Sequence, residues 1–246
     1  MIAVTKEERA RELYDLIRAC RMCALAETRT RAVPGEGPLD ADVMFIGEAP
    51  GMHEDQQGRP FVGAAGQFLT ELLAEAGLRR DEVYICNVLK CRPPGNRDPL
   101  PGEIAACAEY LDLQIDLVDP LVIVTLGRFS MARWFPQAAI SRIHGRPATV
   151  DGRVIVPMYH PAAALRQANL REVMVEDFRR LAEVIARARS GATAAVERVR
   201  WSDDTQKTHS AAPAEEAVQG PPIEDASISG AAGDPGTGPQ QIPLFE

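Results

Sequence analysis

The sequence predicts an α/β protein: a three-layer α/β/α arrangement around a central, mainly parallel four-stranded sheet, with a disordered tail after it. Two observations lead there. Apolar runs of strand length alternate with longer stretches of helical spacing over residues 1–190, and such alternation favours a parallel sheet with helices on both faces. From about residue 191 the chain becomes polar, rich in small residues, Pro and Gly, and loses its periodicity, as expected of disorder.

Taken in order, VTKEERARELYDLIRAC has apolar residues near helical spacing and reads as an N-terminal helix. DVMFIG is a short buried strand, and GQFLTELLAEAG a helix closed by Gly77. VYICNVL is a second strand. After an Arg/Pro-rich loop, a helix starts near Pro101 and runs through PGEIAACAEYLDLQIDLVD. LVIVTLG is a third strand, with a short helix in GRFSMARWF. RVIVPMYH is a fourth, able to form a hairpin with PATV across Asp151 and Gly152. HPAAALRQ opens a further helical segment, and REVMVEDFRRLAEVIARAR is the last long helix. Ligands of such sheets sit at the carboxyl ends of the strands. Here those ends read GEAPG, NVLKCRPP, GR and MYHP.

The chain of 246 residues has a net charge of −8. Residues 201–246 contribute −7 of it, with eight acids against Lys207, so the rest is nearly neutral and nucleic acid is not excluded as a partner. No run approaches the ~18 apolar residues of a membrane span, and the charged N-terminus is unlike a signal peptide, so a cytoplasmic protein with no membrane association, and a monomer, is expected.

Residues 46–66, IGEAPGMHEDQQGRPFVGAAG, form a Gly-rich loop between a strand and a helix. Phosphate-binding loops of this kind carry a Lys or a GxGxxG spacing. This one has neither, and holds Glu48, Glu54 and Asp55 instead, which speaks against a nucleotide-binding protein. Cys20 and Cys23 form a C-x2-C pair, and Cys91 and Cys107 are separated by fifteen intervening residues. Four thiolates suit either a structural zinc or an iron–sulfur cluster. The second pair is not C-x2-C, which disfavours an ordinary zinc ribbon. Cys86, inside a strand, reads as a buried thiol.

GEAPGMHEDQQGRPFVGAAGQFL, NVLKCRPPGNRDP and HPAAAL, together with the four cysteines in order, resemble the motifs of the family-4, iron–sulfur uracil-DNA glycosylases over about residues 10–188. The resemblance implies a [4Fe–4S] cluster on Cys20, Cys23, Cys91 and Cys107, with structural zinc as the alternative, and excision of uracil from DNA. Such an enzyme flips the target nucleotide into a pocket that reads its Watson–Crick edge. Phe61 is similar to the ring that stacks on the base. Asn87 resembles the amide that pairs with uracil O4 and N3–H, a pattern cytosine reverses. His160 resembles the histidine aimed at uracil O2, where negative charge develops. Glu48 is placed to orient or deprotonate the attacking water; the better-known uracil-DNA glycosylases carry an Asp one position later, where this chain has Ala49. Glu54 is similar to the residue that crowds C5 and excludes thymine.

Lys90, Arg92 and Arg97 form a basic loop suited to phosphates, and Leu165 or Arg166 would enter the gap left by the flipped base. The loop lacks the basic insertion of a related group that bonds covalently to uracil, and no motif places a Schiff-base Lys, so a monofunctional hydrolase is expected. A non-catalytic iron–sulfur DNA-binding or redox module on the same scaffold is the alternative.

The expected domain plan is a catalytic domain at 1–190, a disordered acidic linker at 191–240, and a terminal peptide at 241–246. In that peptide, QIPLFE, Gln241, Leu244 and Phe245 resemble the motif by which bacterial repair proteins dock on the DNA sliding clamp.

Overall fold

The computed structural model describes residues 4–191. The expected linker and terminal peptide, including Gln241, Leu244 and Phe245, lie outside the described residues.

Five strands form one sheet: β1 (Val43–Gly47), β2 (Tyr84–Asn87), β3 (Val122–Leu126), β4 (Ala148–Val150) and β5 (Arg153–Met158), in the order β2-β1-β3-β5-β4. All neighbours are parallel except β4, which runs antiparallel to β5. The expected count of four is therefore one too low. PATV supplies the extra edge strand, and Asp151 and Gly152, at φ 49° and 82°, make the tight turn that matches strand twist.

Nine helices surround the sheet among the described residues: α1 (Lys6–Ala19), α2 (Leu25–Thr28), α3 (Met52–Gln57), α4 (Ala64–Glu75), α5 (Pro101–Val118), α6 (Arg128–Met131), α7 (Ile140–Ile143), α8 (Pro161–Arg166) and α9 (Asn169–Arg189). Their ends follow local chemistry. Thr5 and Glu8 close a capping box on α1. Pro101 occupies the first turn of α5, where its missing N–H costs nothing, and Glu103 bonds back to the Leu100 N–H. α9 buries Met174, Phe178, Leu181, Ile185 and Ala188, a stripe of alternating four- and three-residue steps.

β1, β2 and β3 are buried along their whole length. Side chains alternate between two cores. Val43, Phe45, Val124 and Val156 face α4 and α9. Met44, Ile46, Ile123 and Ile155 face α5. Cys86 belongs to the second core, as a buried strand thiol should.

The chain steps from β1 outward to β2, then returns through α5 to β3 on the other side of β1. The strand order thus reverses between β1 and β3, and a crevice opens at their carboxyl ends. No helix among the described residues is long and apolar enough to cross a membrane.

Candidate active site

Gly47 ends β1 at the floor of that crevice. A Cβ there would stand 2.3 Å from Asn87 Oδ1 and 2.6 Å from the Phe61 ring, so the missing side chain lets the ring and the amide meet over the strand end. Phe61 adopts φ 51°, a left-handed conformation that is costly for a bulky residue and marks a site held by its surroundings. Two neighbours hold it. Gly66 packs so close that a Cβ would lie 1.8 Å from the Phe61 carbonyl oxygen. Glu54 staples the loop: Oε1 accepts the Val62 and Gly63 N–H groups at 2.9 Å, and Oε2 accepts the Gly51 N–H at 3.1 Å.

Asn87, at the end of β2, is 1% exposed, and its Oδ1 has no hydrogen-bond partner among the described residues. An unpaired buried acceptor costs about 1–3 kcal/mol, a cost that a donor supplied by a bound molecule would remove. The Phe61 ring lies 5.6 Å from the His160 ring, centroid to centroid, at 28°. His160 follows β5 and caps α8. Its Nδ1 accepts the Ala162 N–H at 3.1 Å, which places the ring proton on Nε2. Burial pushes its pKa down to about 4; Glu54 opposes and Arg166 adds to the shift. The ring is therefore neutral near pH 7, with one N–H to offer.

Glu48 follows Gly47 and is half-buried. Burial raises its pKa, Asp98 raises it further, and Arg128 and Arg166 pull it back. Arg128 and Asp98 form an ion pair. Sequence reasoning gives neither a role, although Arg128 lies two residues past β3, in the GR at that strand end, where such folds place functional groups.

The basic loop differs from expectation. Lys90 is 1% exposed, and its ammonium donates to the Asn87 carbonyl at 2.6 Å and to Gln114 Oε1 at 2.5 Å. A lysine enclosed this way cannot reach a phosphate, so its assignment to DNA binding is corrected. It turns inward because the β2 end and α5 leave two acceptors that need a donor. Gln114 Nε2 in turn donates to the Pro34 carbonyl and to Tyr84 Oη. Arg97 is engaged with Glu103 at 2.6 Å, and Arg92 with Asn96 at 2.7 Å. Leu165, 53% exposed, and Arg166, also exposed, both lie at the outer end of α8, and the Arg166 charge acts weakly on Glu48 and His160.

Cys91 and Cys107 are buried together with Leu25 and Leu89, and Cys23 packs against them. All five cysteines are free thiols. Burial raises the pKa of Cys91 to about 11, partly offset by Arg29, whose Nη1 donates to the Cys91 Sγ at 2.9 Å.

Fold and site define a class: α/β proteins that bring an aromatic ring, a buried amide and a neutral histidine together at the carboxyl ends of a parallel sheet. The sequence model of the Uracil DNA glycosylase superfamily matches residues 34–182. The chain is 49% identical over 183 residues to a type-4 uracil-DNA glycosylase of Sulfurisphaera tokodaii, covering 70% of this chain and 83% of that one. It is 47% identical to that of Archaeoglobus fulgidus, over 70% and 92%, and 44% identical to that of Thermotoga maritima, over 70% and 93%. The chain belongs to the type-4 uracil-DNA glycosylases of the uracil-DNA glycosylase superfamily.

Proposed function

We infer that this chain removes uracil from DNA as a monofunctional glycosylase in base excision repair, hydrolysing the N-glycosidic bond of deoxyuridine and leaving an abasic site. The observation that carries the reading is the unpartnered Asn87 Oδ1 beside Phe61 and His160. The target nucleotide leaves the stack and its base lies against Phe61. Asn87 Oδ1 accepts uracil N3–H and its amide N–H donates to O4. Cytosine, with an acceptor at N3 and a donor at C4, would leave the amide mispaired. Glu54, pinned by three main-chain N–H groups, is a rigid wall suited to excluding a C5 methyl.

As the bond breaks, charge grows on the departing uracil, and His160 Nε2–H donates to O2 where it accumulates. Neutrality suits this donor, which strengthens its bond as the oxygen becomes anionic. Glu48, as carboxylate, orients or deprotonates the water attacking C1′ and faces the positive charge developing on the sugar. Leu165 and Arg166, both exposed at the outer end of α8, are the two candidates for the wedge that enters the gap left by the flipped base. Arg92, bonded only through Nε to Asn96, keeps its Nη groups for a phosphate, whereas Arg97 reaches one by exchanging Glu103. Alkaline cleavage of a uracil-containing oligonucleotide after incubation with the protein tests the reading; an intact strand with well-folded protein would reject it.

Cys20, Cys23, Cys91 and Cys107 would hold a [4Fe–4S] cluster. The buried thiols of Cys91 and Cys107 and the Arg29 guanidinium at a sulfur fit an anionic cluster. When bound, the cluster ties the loop after β2 to the segment after α1. Metal analysis giving about four irons per chain, with a brown absorbing protein, supports it; zinc in a colourless protein refutes it.

The remaining parts of the proposal are a catalytic domain at 1–190, an acidic linker at 191–240, and a clamp-binding peptide using Gln241, Leu244 and Phe245. They are joined by a cytoplasmic location and a monomeric state.

A further inference from the structure

Arg97 in the loop after β2 is held by Glu103, but another part of the surface gathers five arginines, two of them without an ion pair or side-chain hydrogen bond among the described residues. Arg18, Arg21, Arg29, Arg31 and Arg59, with Gln57, line a cavity of about 680 Å³ between the end of α1, the turn at 20–23, the segment after α2 and the end of α3. Of the five, Arg18 pairs with Asp15 at 2.9 Å and Arg59 with Glu36 at 2.8 Å, and Glu36 also serves Arg80 at 2.7 Å. Arg29 bonds the Cys91 sulfur and the carbonyls of Arg18 and Cys20. Among the described residues Arg21 and Arg31 have no side-chain ion pair. Asp55, the nearby acid, is 3% exposed and accepts the main-chain N–H groups of Thr30 and Arg31. Arg21 and Arg31 thus line the cavity without an ion-pair partner, beside the uncompensated charge of Arg29, whose Nη groups are bonded to the Cys91 sulfur and two carbonyls.

Like charges around one hollow repel unless an anion joins them, and Arg forks match phosphate oxygens two at a time. We propose that this cavity binds phosphate groups of the DNA strand flanking the uracil. This rests on the reading of the chain as a DNA glycosylase. The position argues for the substrate strand over a free phosphate compound. Gln57 and Arg59 also line an adjoining groove that reaches Phe61 and Arg80, so the arginine wall runs continuously to the loop carrying the base-stacking ring. Arg59 is two residues from Phe61, at most about 7 Å along the chain, within one or two nucleotides of the flipped base.

The test is the salt dependence of binding to a uracil-containing single strand, read by fluorescence anisotropy on the full chain. Replacing Arg21→Ala and Arg31→Ala together should reduce the slope of log K against log salt by about 1.4, at roughly 0.7 for each phosphate that is no longer neutralised. The R21K/R31K pair, which keeps the charges, should retain most of the slope, and unchanged thermal melting of both variants shows that folding is intact. An unchanged slope in a folded R21A/R31A protein overturns the proposal. So does stabilisation of the wild type by inorganic phosphate or a mononucleotide that R21A/R31A loses while its DNA slope stays the same, because the site then takes free phosphate. The uracil-excision assay is read separately. A protein that excises uracil but keeps its slope loses only this site, and one that loses slope without excising uracil loses only the enzyme reading.

Discussion

In the proposed mechanism one proton on Glu48 sets whether the site can act. Its pKa is raised above the ordinary carboxylate value, mainly by burial and then by Asp98, and the water-orienting form is the carboxylate. The rate constant kcat/KM should therefore fall on the acid side with an apparent pKa above 4.5. Glu48→Gln should remove that limb and lower kcat by about 10²–10⁴-fold. A wild-type profile flat down to pH 4 would refute the role. His160 shows the opposite sign in stability. Its folded pKa lies near 4, below the ordinary histidine value of 6.5, so the unfolded chain takes up the proton first and stability is lost as pH falls from 6.5 toward 4. Urea titrations should show that loss, on the order of 2–3 kcal/mol, shrinking in His160→Gln. Lys90 is a third case. Lys90→Met would strand the Asn87 carbonyl and Gln114 Oε1, and urea unfolding should register a loss of about 1–3 kcal/mol per unpaired group.

At the level of elements, the site depends on two glycines that let a loop lie against strand ends. Gly47→Ala should place a methyl group between Asn87 and the Phe61 ring. Uracil excision should drop by on the order of 10²-fold, the scale expected when reacting groups move by about 1 Å. Wild-type rates on a uracil-containing oligonucleotide would show that ring and amide do not need to meet there. These elements are partly legible in the sequence. The strands, α5 with its Pro101 start and α8 behind His160 follow from apolar runs and caps that act within a few residues. β4 is visible as a hairpin partner but not as a sheet member, because three residues carry little periodicity. Glu54 reads as a pocket residue, while its bonds to Val62 and Gly63 depend on a loop that folds back on itself.

Across the full chain, the described residues form the DNA-reading part, and the terminal peptide is a separate prediction. Deleting residues 241–246 should abolish capture by a bacterial sliding clamp while leaving excision on free oligonucleotides intact, since a tethering peptide changes effective concentration and not chemistry. Retained capture would reject the clamp motif.

The α/β class, the family and the residues converging on the crevice follow from the sequence alone, because strand periodicity, caps and motif spacing are local and survive being read along a line. Where the charges face is settled only in three dimensions. The fold turns Lys90 inward to two buried acceptors, pairs Arg97 with Glu103, sets Asp98 and Arg128 beside Glu48, and leaves Arg21, Arg29 and Arg31 around a common cavity without carboxylates. Burial and partner choice arise between residues distant in the chain, and a charge's role follows from its neighbours in space.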